Sequence, residues 1–357
     1  MSEHFPAELL ARVPGLLVPW FLRTRRDLEW RNDPTPYRVW ISEIMLQQTR
    51  VEAVKPYYDR FLAELPDVAS LAAADETRLL KLWEGLGYYR RARNLQAAAK
   101  KIMQEYGGVF PDNYDGVRNL PGIGDYTAGA ILSIAFGKPF PAVDGNVLRV
   151  MSRLAASRED IDSPKIRKEL TGALAAVYPP GQCSEFTQSL MELGAMVCLP
   201  NGAPLCTVCP LAGICLASQK RLTDEIPVRK AKAARPVKSF AVVVLRDAQG
   251  RFAVRRRPET GLLAGLYEFP NLEGVHDETA LKKAFRAKAI REMGTARHVF
   301  THVEWDMTLY LAETDGPPDG FEWVSAAALR TETAIPSAFK AALKLALNAD
   351  SSNGGRS

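Results

Sequence analysis

The 357-residue sequence has no uninterrupted hydrophobic run near its start, only five cysteines and no strong excess of one charge. Pro14 and Pro19 interrupt the first apolar stretch, which therefore fits neither a signal peptide nor a membrane span. We accordingly expect a cytoplasmic protein. A net charge of +5 is too small to identify an anionic partner by itself. The composition is that of an ordinary globular protein, and the length allows two domains.

Two common phosphate-binding motifs are also absent. The stretch 120-LPGIGDYTAG-129 has a glycine pair at Gly122 and Gly124, but Thr127 occupies the last glycine position of a dinucleotide fingerprint. The chain also lacks the Gly-Lys-Ser/Thr sequence of a Walker loop. A helix, a tight turn and a second helix remain, and backbone N–H groups in that arrangement can bind one phosphate. A plain turn between helices is the alternative interpretation.

Hydrophobic periodicity separates a helical part from a mixed part. Residues 1 to about 225 have helical spacing, for example over 36–65, 75–107 and 163–178. The stretch 227-PVRKAKAARPVKS-239 has five basic residues and no acidic ones, which predicts an exposed linker. We place a helical domain at 1–226, a basic linker at 227–238, a second domain at 239–348 and a disordered tail at 349–357.

The second domain has the composition of an α+β fold. Segments 239–247, 251–257 and 305–313 are rich in strand-forming residues, and 247–250 is typical of a hairpin turn. We predict a helix over 277–294, with Asp277 as its N-cap and Gly294 as its stop.

Four of the five cysteines lie close together, in the pattern Cys198-x7-Cys206-x2-Cys209-x5-Cys215. In a cytoplasmic protein this clustering favours a metal site over disulfides. Four thiolates suit either a structural zinc ion or an iron-sulfur cluster, and the residues alone favour neither. Cys183 stands apart and is expected to be a lone thiol.

Two carboxylates have surroundings suited to catalysis. Glu43 lies in a helical stretch where its neighbours at i−4, i−3, i+3 and i+4 are apolar or amide residues, so no cationic partner is available on that helix. Such surroundings raise the pKa of a carboxyl and keep a general acid protonated near neutral pH. Asp144 directly precedes a helical pattern, where an N-cap is the simplest interpretation. One protonated and one ionised carboxyl can cleave a bond through an oxocarbenium-like transition state.

Seven segments, spread over both parts of the chain, are informative in combination. They are 28-LEWR-31, 37-YRVWISEIMLQQTRVEAV-54, 85-GLGYYRRARNL-95, 120-LPGIGDYTAGAI-131, 143-VDGNVLRV-150, the cysteine segment and 261-GLLAGLYEFP-270. Together they resemble the adenine DNA glycosylases of the MutY type. The resemblance implies a mostly α helix-hairpin-helix DNA glycosylase fold with a [4Fe-4S] cluster loop at 198–215, followed by an α+β Nudix-like domain. The implied cluster ligands are Cys198, Cys206, Cys209 and Cys215.

The resemblance also implies an activity and a partner. The expected reaction is the removal of adenine mispaired with 8-oxoguanine or G from double-stranded DNA, in base-excision repair. A bacterial protein that works at the nucleoid as a monomer, without a membrane partner, is expected.

Four residues are expected to carry the chemistry. Adenine stacked in a duplex is out of reach, so the base must first be flipped out. Glu43 is then expected to protonate the adenine at N7. Asp144, kept ionised by a helix N-terminus, is expected to stabilise the sugar cation or to capture it covalently. Tyr126 is expected to assist Asp144, and Asn146 to hydrogen-bond within the same site.

Further residues are expected to contact adenine or DNA. Arg31 and Gln188 match residues that contact the flipped adenine. Backbone donors at Gly122 and Gly124 are expected to bind a DNA phosphate. The residues expected beside the lesion are Leu46, Gln47, Gln48, Thr49 and Tyr88.

In the second domain, Phe300, Thr301 and His302 match the family's Phe-Ser-His segment and are expected to contact 8-oxoguanine. The end of a strand is the alternative interpretation, and Thr301 stands where serine is common. A Nudix hydrolase needs several glutamates on one helix to hold magnesium, whereas Glu292 is the only carboxylate over 281–294. Hydrolysis by this domain is therefore not expected.

Two rival functions remain open from the sequence. A lyase of the endonuclease III type shares the hairpin, the aspartate and the cluster, but it needs a lysine nucleophile where this chain has Tyr126. The nearest lysine, Lys138, lies a helix away. A non-catalytic DNA-damage sensor is the second rival, and the combination of Glu43, Asp144 and Tyr126 argues against it.

Overall fold

The computed structural model describes residues 4–230 and 234–351, which form two compact units. The helical unit contains residues 4–73 and 94–230, and the mixed unit contains residues 74–93 and 234–351. A short segment of the helical part of the sequence therefore packs with the second domain. No helix among the described residues is both long and apolar enough to cross a membrane.

The first part of the chain folds into helices, as predicted. They are α1 (Ala7–Ala11), α2 (Val13–Thr24), α3 (Glu29–Asn32), α4 (Pro36–Leu46), α5 (Val51–Glu64), α6 (Val68–Ala73), α7 (Glu76–Leu82), α8 (Arg90–Tyr106), α9 (Tyr114–Arg118), α10 (Asp125–Ile134), α11 (Gly145–Ala155), α12 (Pro164–Ala175), α13 (Cys183–Met196) and α14 (Leu216–Gln219). The predicted stretches 36–65 and 75–107 are each interrupted by a turn, at 47–50 and 83–89. Each turn contains a non-glycine residue in the left-handed region, Gln48 (φ 58°) and Tyr88 (φ 48°).

Helix caps define the hairpin and the helix that follows it. The Asn113 side chain accepts a hydrogen bond from the Gly116 N–H and begins α9, and Gly124 is the N-cap of α10. The Asp144 side chain accepts a hydrogen bond from the Val147 N–H at 2.8 Å and begins α11. The helix, turn and helix arrangement and the capping role of Asp144 are both confirmed.

Two close backbone approaches fix the segment that carries Asp144. A Cβ added to Gly129 on α10 would lie 2.3 Å from the carbonyl oxygen of Pro141, and one added to Gly194 on α13 would lie 2.6 Å from Cβ of Asn146. Pro141 precedes Asp144 and Asn146 follows it. The absence of a side chain at both glycines therefore allows α11 to begin between α10 and α13.

The mixed unit is built on a seven-stranded sheet. Its strands are β1 (Val237–Arg246), β2 (Phe252–Arg256), β3 (Tyr267–Glu268), β4 (Asn271–Glu273), β5 (Ala289–Val299), β6 (Glu304–Glu313) and β7 (Glu322–Val324). The order is β3-β2-β1-β6-β5, with β4 paired to β1 and β7 to β2, and among the strands of the described residues only β1 and β6 are parallel. Alternate β1 residues enter two separate cores, since Val242 and Val244 pack in one and Ala241 and Val243 in the other.

The helix predicted over 277–294 is wrong in its second half. Asp277 caps α15 (Glu278–Phe285) as predicted, but the helix ends before Arg286, which has φ 54°. Residues 289–299 form β5 instead, because their backbone groups pair along β6. Gly294 lies at a register shift in that pairing and does not stop a helix. Two further helices, α16 (Ala326–Thr331) and α17 (Lys340–Ser351), follow the last strand.

The linker and the tail are shorter than predicted where the structure describes them. Val228 pairs with Asp160 in an isolated bridge, and β1 already begins at Val237. Residues 349–351 continue α17 and so are not a disordered tail. The remaining residues of these two predictions, 231–233 and 352–357, lie outside the described residues.

Gly129→Ala is expected to destabilise the protein by about 1–3 kcal/mol, because the new methyl group would overlap the Pro141 carbonyl. Gly172→Ala is the matched control on α12, where a Cβ meets nothing within 4 Å. The control is expected to stabilise the protein by up to about 1 kcal/mol. Thermal or urea unfolding measures both, and equal effects of the two changes would contradict the close approach.

Candidate active site

Glu43 is a buried carboxyl that accepts a hydrogen bond from a tyrosine. The residue lies on α4 and is 7% exposed, and its Oε2 accepts a hydrogen bond from the Tyr126 hydroxyl at 2.7 Å. Burial is the main cause that raises the pKa of Glu43 to about 7; Asp144 adds to the rise, whereas Tyr126 and Arg31 oppose it. The predicted rise in the pKa of Glu43 is confirmed, so this carboxyl can hold a proton near neutral pH.

Tyr126 forms its hydrogen bond with Glu43, and the expected assistance to Asp144 stays a prediction. It lies in the first turn of α10, and its hydroxyl donates to Glu43 rather than to Asp144. Burial, together with the nearby Glu43 and Asp144 carboxyls, raises the pKa of Tyr126 well above its ordinary value. The phenol therefore keeps its proton and orients the Glu43 carboxyl.

Asp144 is held by donors on both carboxylate oxygens. Oδ1 accepts from the Val147 N–H and Oδ2 from Asn146 Nδ2, each at 2.8 Å. These donors and Arg149 favour the ionised form, but burial is the larger effect and raises the pKa of Asp144 above its ordinary value. The capping donors thus only partly offset the effect of burial on this pKa.

Arg149 orients the asparagine beside Asp144, and the sequence interpretation missed it. Its guanidinium donates to Asn146 Oδ1 at 2.9 Å, to the Gly194 carbonyl at 2.8 Å and to the Cys198 carbonyl at 2.8 Å. Because the carbonyl oxygen of Asn146 is bound to Arg149, its NH2 group is directed to Asp144. One signal in the sequence could have identified this role: Arg149 stands between Leu148 and Val150, within the apolar pattern of α11.

Glu192 is a second buried carboxylate that the sequence interpretation missed. It lies on α13, is 1% exposed, and is bound by Arg26 at 2.7 Å and by Arg31 at 2.8 Å. Burial opposes ionisation, but the hydrogen bonds from the two arginines lower the pKa of Glu192 to about 2. Arg31, expected at the adenine, is thus fixed by Glu192 and lies close enough to Glu43 to lower its pKa. Gln188 lies one turn before Glu192 and donates to Ser184 Oγ at 3.1 Å.

Residues 46–49, which were expected at the lesion, form the end of α4 and the turn that follows it. Gln47 Nε2 lies 3.5 Å from the Thr127 hydroxyl of α10, and the Thr49 N–H donates to the Leu46 carbonyl at 3.2 Å. Gln48 is exposed at the tip of the turn, with φ 58°. This turn is therefore continuous with the helix that carries Glu43.

The two hairpin glycines differ in what surrounds them. Gly122 has φ 78°, and a Cβ there would lie 2.6 Å from Cβ of Asn94. The left-handed backbone and the close approach of Asn94 are therefore sufficient reasons for a glycine at position 122. A Cβ on Gly124 would meet nothing within 4 Å, so only this position leaves open space at the N-terminus of α10. The expected phosphate contact of the backbone donors at Gly122 and Gly124 stays a prediction.

The remaining expected lesion contacts lie in the mixed unit. Tyr88 is 50% exposed at the turn before α8. Phe300 lies in the turn after β5, where its ring contacts His298 and Trp305 at centroid distances of 4.5 and 4.9 Å. Thr301 and His302 at the tip of that turn are exposed.

The four clustered cysteines line one cavity together with apolar residues such as Leu193 and Leu211. All four thiols are free, and the Arg153 guanidinium lies 3.3 Å from Cys198 Sγ, where it can donate a hydrogen bond. Among the described residues, no group of three or more His, Cys, Asp or Glu side chains is placed to hold one metal ion as it stands. The shared cavity and the donor to sulfur fit a thiolate-bound group.

Two segments of the chain match known protein families. Residues 41–175 match the HhH-GPD superfamily base excision DNA repair proteins, and residues 241–345 match the NUDIX domain. The adenine DNA glycosylase of Homo sapiens is 32% identical over 396 residues, which cover 91% of this chain and 72% of that protein. The adenine DNA glycosylase of Buchnera aphidicola subsp. Acyrthosiphon pisum is 34% identical over 292 residues, which cover 80% and 82%.

The chain belongs to the adenine DNA glycosylase family. It is therefore an N-glycosylase of base-excision repair, with a Nudix-like C-terminal domain. A thermostable thymine-DNA glycosylase matches with a TM-score of 0.54 and 28% identity, over 60% of this chain and 98% of that one. A non-covalent endonuclease III–DNA complex matches with a TM-score of 0.52 and 25% identity, over 61% and 98%. The helix-hairpin-helix glycosylase fold expected for the helical part is confirmed.

Glu43→Gln is expected to stabilise this adenine DNA glycosylase more at pH 8 than at pH 5. Between the ordinary pKa of 4.5 and the folded pKa of about 7, the folded protein keeps a proton on Glu43 that the unfolded chain has released. The free energy of unfolding of the wild type therefore falls as pH rises through this range, by up to about 3 kcal/mol. Glutamine stays neutral and escapes this loss.

Chemical denaturation of both proteins across this pH range measures the difference. Glu52→Gln removes an exposed carboxylate of α5 and serves as the control. A difference between Glu43→Gln and wild type that does not change with pH would contradict the raised pKa.

Proposed function

We propose that the protein removes adenine paired with 8-oxoguanine or guanine from duplex DNA, by hydrolysis and without cutting the strand. One observation carries the proposal: Glu43, a buried carboxyl with a pKa of about 7, lies close enough to Asp144 for that carboxyl to raise its pKa, and Asp144 is bound by several donors. A weak acid and a carboxylate side by side are suited to breaking a glycosidic bond.

Glu43 acts as the general acid. Adenine leaves poorly as an anion, so a proton delivered to N7 makes it a neutral leaving group. The Tyr126 hydroxyl donates to one Glu43 oxygen and leaves the other oxygen able to carry the transferred proton. The apolar neighbourhood that raises the pKa of Glu43 also makes this proton available near neutral pH.

Asp144 stabilises the positive charge that develops on the sugar. The Val147 N–H and Asn146 fix both its oxygens, and Arg149 fixes Asn146. The carboxylate therefore needs little reorganisation when charge develops, which is the condition for electrostatic stabilisation of a transition state. Asp144 thus stabilises the oxocarbenium-like state or captures it covalently, and water completes the hydrolysis.

Arg31 and Gln188 are proposed to bind the flipped adenine. Both lie by Glu192: Arg31 is bound to it at 2.8 Å, and Gln188 is one turn away on the same helix. Because Glu192 fixes the Arg31 guanidinium, the arginine can present its remaining donors in a defined direction. The base edge would then be recognised by preformed rather than mobile groups.

The side chains of Tyr126 and Lys138 argue against a lyase that cuts the strand. Lyase chemistry through an imine needs an amine at the sugar, whereas Tyr126 is a phenol that donates to Glu43. Lys138, the nearest lysine in sequence, is bound to the Asp112 carboxylate at 2.8 Å beyond the end of α10. The Lys138 amine is therefore held in an ion pair with Asp112.

Contacts to DNA and to the lesion are proposed for the exposed turns. Backbone N–H groups at Gly122 and Gly124 would bind a phosphate at the N-terminus of α10. The residues proposed to lie beside the mispair are Leu46, Gln47, Gln48, Thr49, Tyr88, Phe300, Thr301 and His302. Support comes from the exposure of Gln48, Tyr88, Thr301 and His302, and the endonuclease III relative was solved with DNA.

An iron-sulfur cluster is proposed at the four clustered cysteines. Cys198, Cys206, Cys209 and Cys215 line one cavity and carry free thiols. A [4Fe-4S] group held there would crosslink the loop by metal–thiolate bonds and serve a structural role. The Arg153 donor to Cys198 suits an anionic sulfur.

Glu43→Gln is expected to retain DNA binding and to lower adenine release by at least about a thousandfold, because the variant has no acidic proton. A single-turnover assay on duplexes containing 8-oxoguanine:A, G:A and T:A pairs measures this. The wild type should release adenine from the first two without nicking. Normal release by Glu43→Gln contradicts the acid role.

Efficient borohydride trapping of the wild type on DNA would restore the lyase interpretation.

Purified protein is expected to show broad visible absorption and bound iron. Removal of iron with a chelator should abolish the absorption and lower the thermal stability, because the loop would lose its crosslinks. A colourless protein that contains zinc would overturn the iron-sulfur proposal while leaving a structural metal site.

A further inference from the structure

Residues before and after the turn that carries Tyr88 form hydrogen bonds with the Nudix-like domain. Residues 74–93 belong to the same compact unit as residues 234–351, although they lie within the HhH-GPD match at 41–175. The turn at 83–89 contains three left-handed residues, Gly85 (φ 101°), Gly87 (φ 70°) and Tyr88 (φ 48°). A tyrosine with positive φ is strained, so the surrounding contacts must hold it.

The first anchor lies before the turn. Lys81 on α7 donates to the carbonyls of Leu329 and Thr333 at 3.2 and 3.1 Å. Glu84 accepts a hydrogen bond from the Ile335 N–H at 2.8 Å and forms a 2.6 Å ion pair with Lys81. The two side chains are 10% and 22% exposed. Three charge-assisted hydrogen bonds thus bind the end of α7 to residues 329–335, and the Lys81–Glu84 ion pair links the two side chains that make them.

The segment bound by this anchor is itself fixed. Leu329, Thr333 and Ile335 are buried, and the Ala334 carbonyl accepts a hydrogen bond from the Tyr267 N–H of β3 at 3.1 Å. The anchor therefore continues into the sheet of the mixed unit.

The second anchor lies after the turn. Arg93 donates to the Ala264 carbonyl at 2.8 Å and to Glu76 at 2.7 Å. A Cβ on Gly265 would lie 2.3 Å from this guanidinium, so Arg93 packs directly on the backbone of the 261–266 loop. Arg91, in the first turn of α8, lies over the rings of both Trp83 and Tyr88. The backbone that carries Tyr88 is thus bound at both ends, and the Tyr88 ring is covered by the Arg91 guanidinium.

We propose that Lys81 and Glu84 are positioning residues for mispair recognition, which hold Tyr88 in its left-handed conformation by binding residues 329–335. The proposal rests on the proposed function, in which Tyr88 contacts the 8-oxoguanine side of the pair. On this basis Tyr88 and the segment Phe300–His302 are presented by one unit, so discrimination between 8-oxoguanine and guanine depends on contacts within a different unit from the one that carries Glu43.

The test uses the full-length protein with four changes. Lys81→Met removes the donors, and Lys81→Arg retains them. The double exchange Lys81→Glu with Glu84→Lys keeps an intrahelical ion pair but places a carboxylate against two carbonyls. Lys55→Met is the matched control, because Lys55 and Glu52 form an exposed pair with the same i,i+3 spacing on α5.

Hydrogen exchange over residues 84–92 is the readout that does not depend on DNA. Lys81→Met and the double exchange are expected to speed exchange there by about tenfold, because charge-assisted hydrogen bonds are lost. Lys81→Arg and Lys55→Met should leave it unchanged. Unchanged exchange in Lys81→Met, or restoration by the double exchange, overturns the proposal.

Single-turnover adenine release is the second readout. Lys81→Met should lower the ratio of the 8-oxoguanine:A rate to the G:A rate by about fivefold, with the G:A rate itself unchanged. Faster exchange with an unchanged ratio overturns the positioning role. If the wild type releases adenine from neither duplex, the proposed function fails, whereas the exchange result still decides whether residues 329–335 hold the turn.

Discussion

Burial of the Glu43 carboxyl against the Tyr126 hydroxyl is the interaction on which the active site depends. A carboxyl in this position is costly to ionise, so its proton is retained to a pH near that of the cell. The same burial requires that α4, which carries Glu43, and α10, which carries Tyr126, pack closely. The protein thus obtains an acid from the same apolar packing that stabilises the fold.

The placement of Asp144 follows from this packing. α11 begins where Pro141 passes over Gly129 of α10, and Asn146 passes over Gly194 of α13. Asp144 therefore caps its own helix while it lies close enough to Glu43 to raise that residue's pKa. Two carboxyls in one buried site do not both ionise readily, and the donors to Asp144 select it as the group that carries the negative charge.

The sequence was sufficient to predict features that depend on local spacing. The neighbours of Glu43 one turn away indicated a desolvated carboxyl, and the position of Asp144 indicated a cap. The partner of Tyr126 could not be predicted, because it depends on the packing of helices far apart in sequence. Glu192 was missed for the same reason, since its two arginines come from residues near the chain start. The error over 277–294 has a related cause: the helical spacing over 289–294 was overridden by pairing of β5 with β6.

The most direct test of the central claim is the single-turnover rate of adenine release by the wild type as a function of pH. If protonated Glu43 delivers the proton, the rate should be nearly constant below a pH of about 7, until Asp144 becomes protonated. Above that pH it should fall about tenfold per unit. A rate that stays constant from about pH 6 to about pH 9, with DNA binding saturated throughout, would contradict the account.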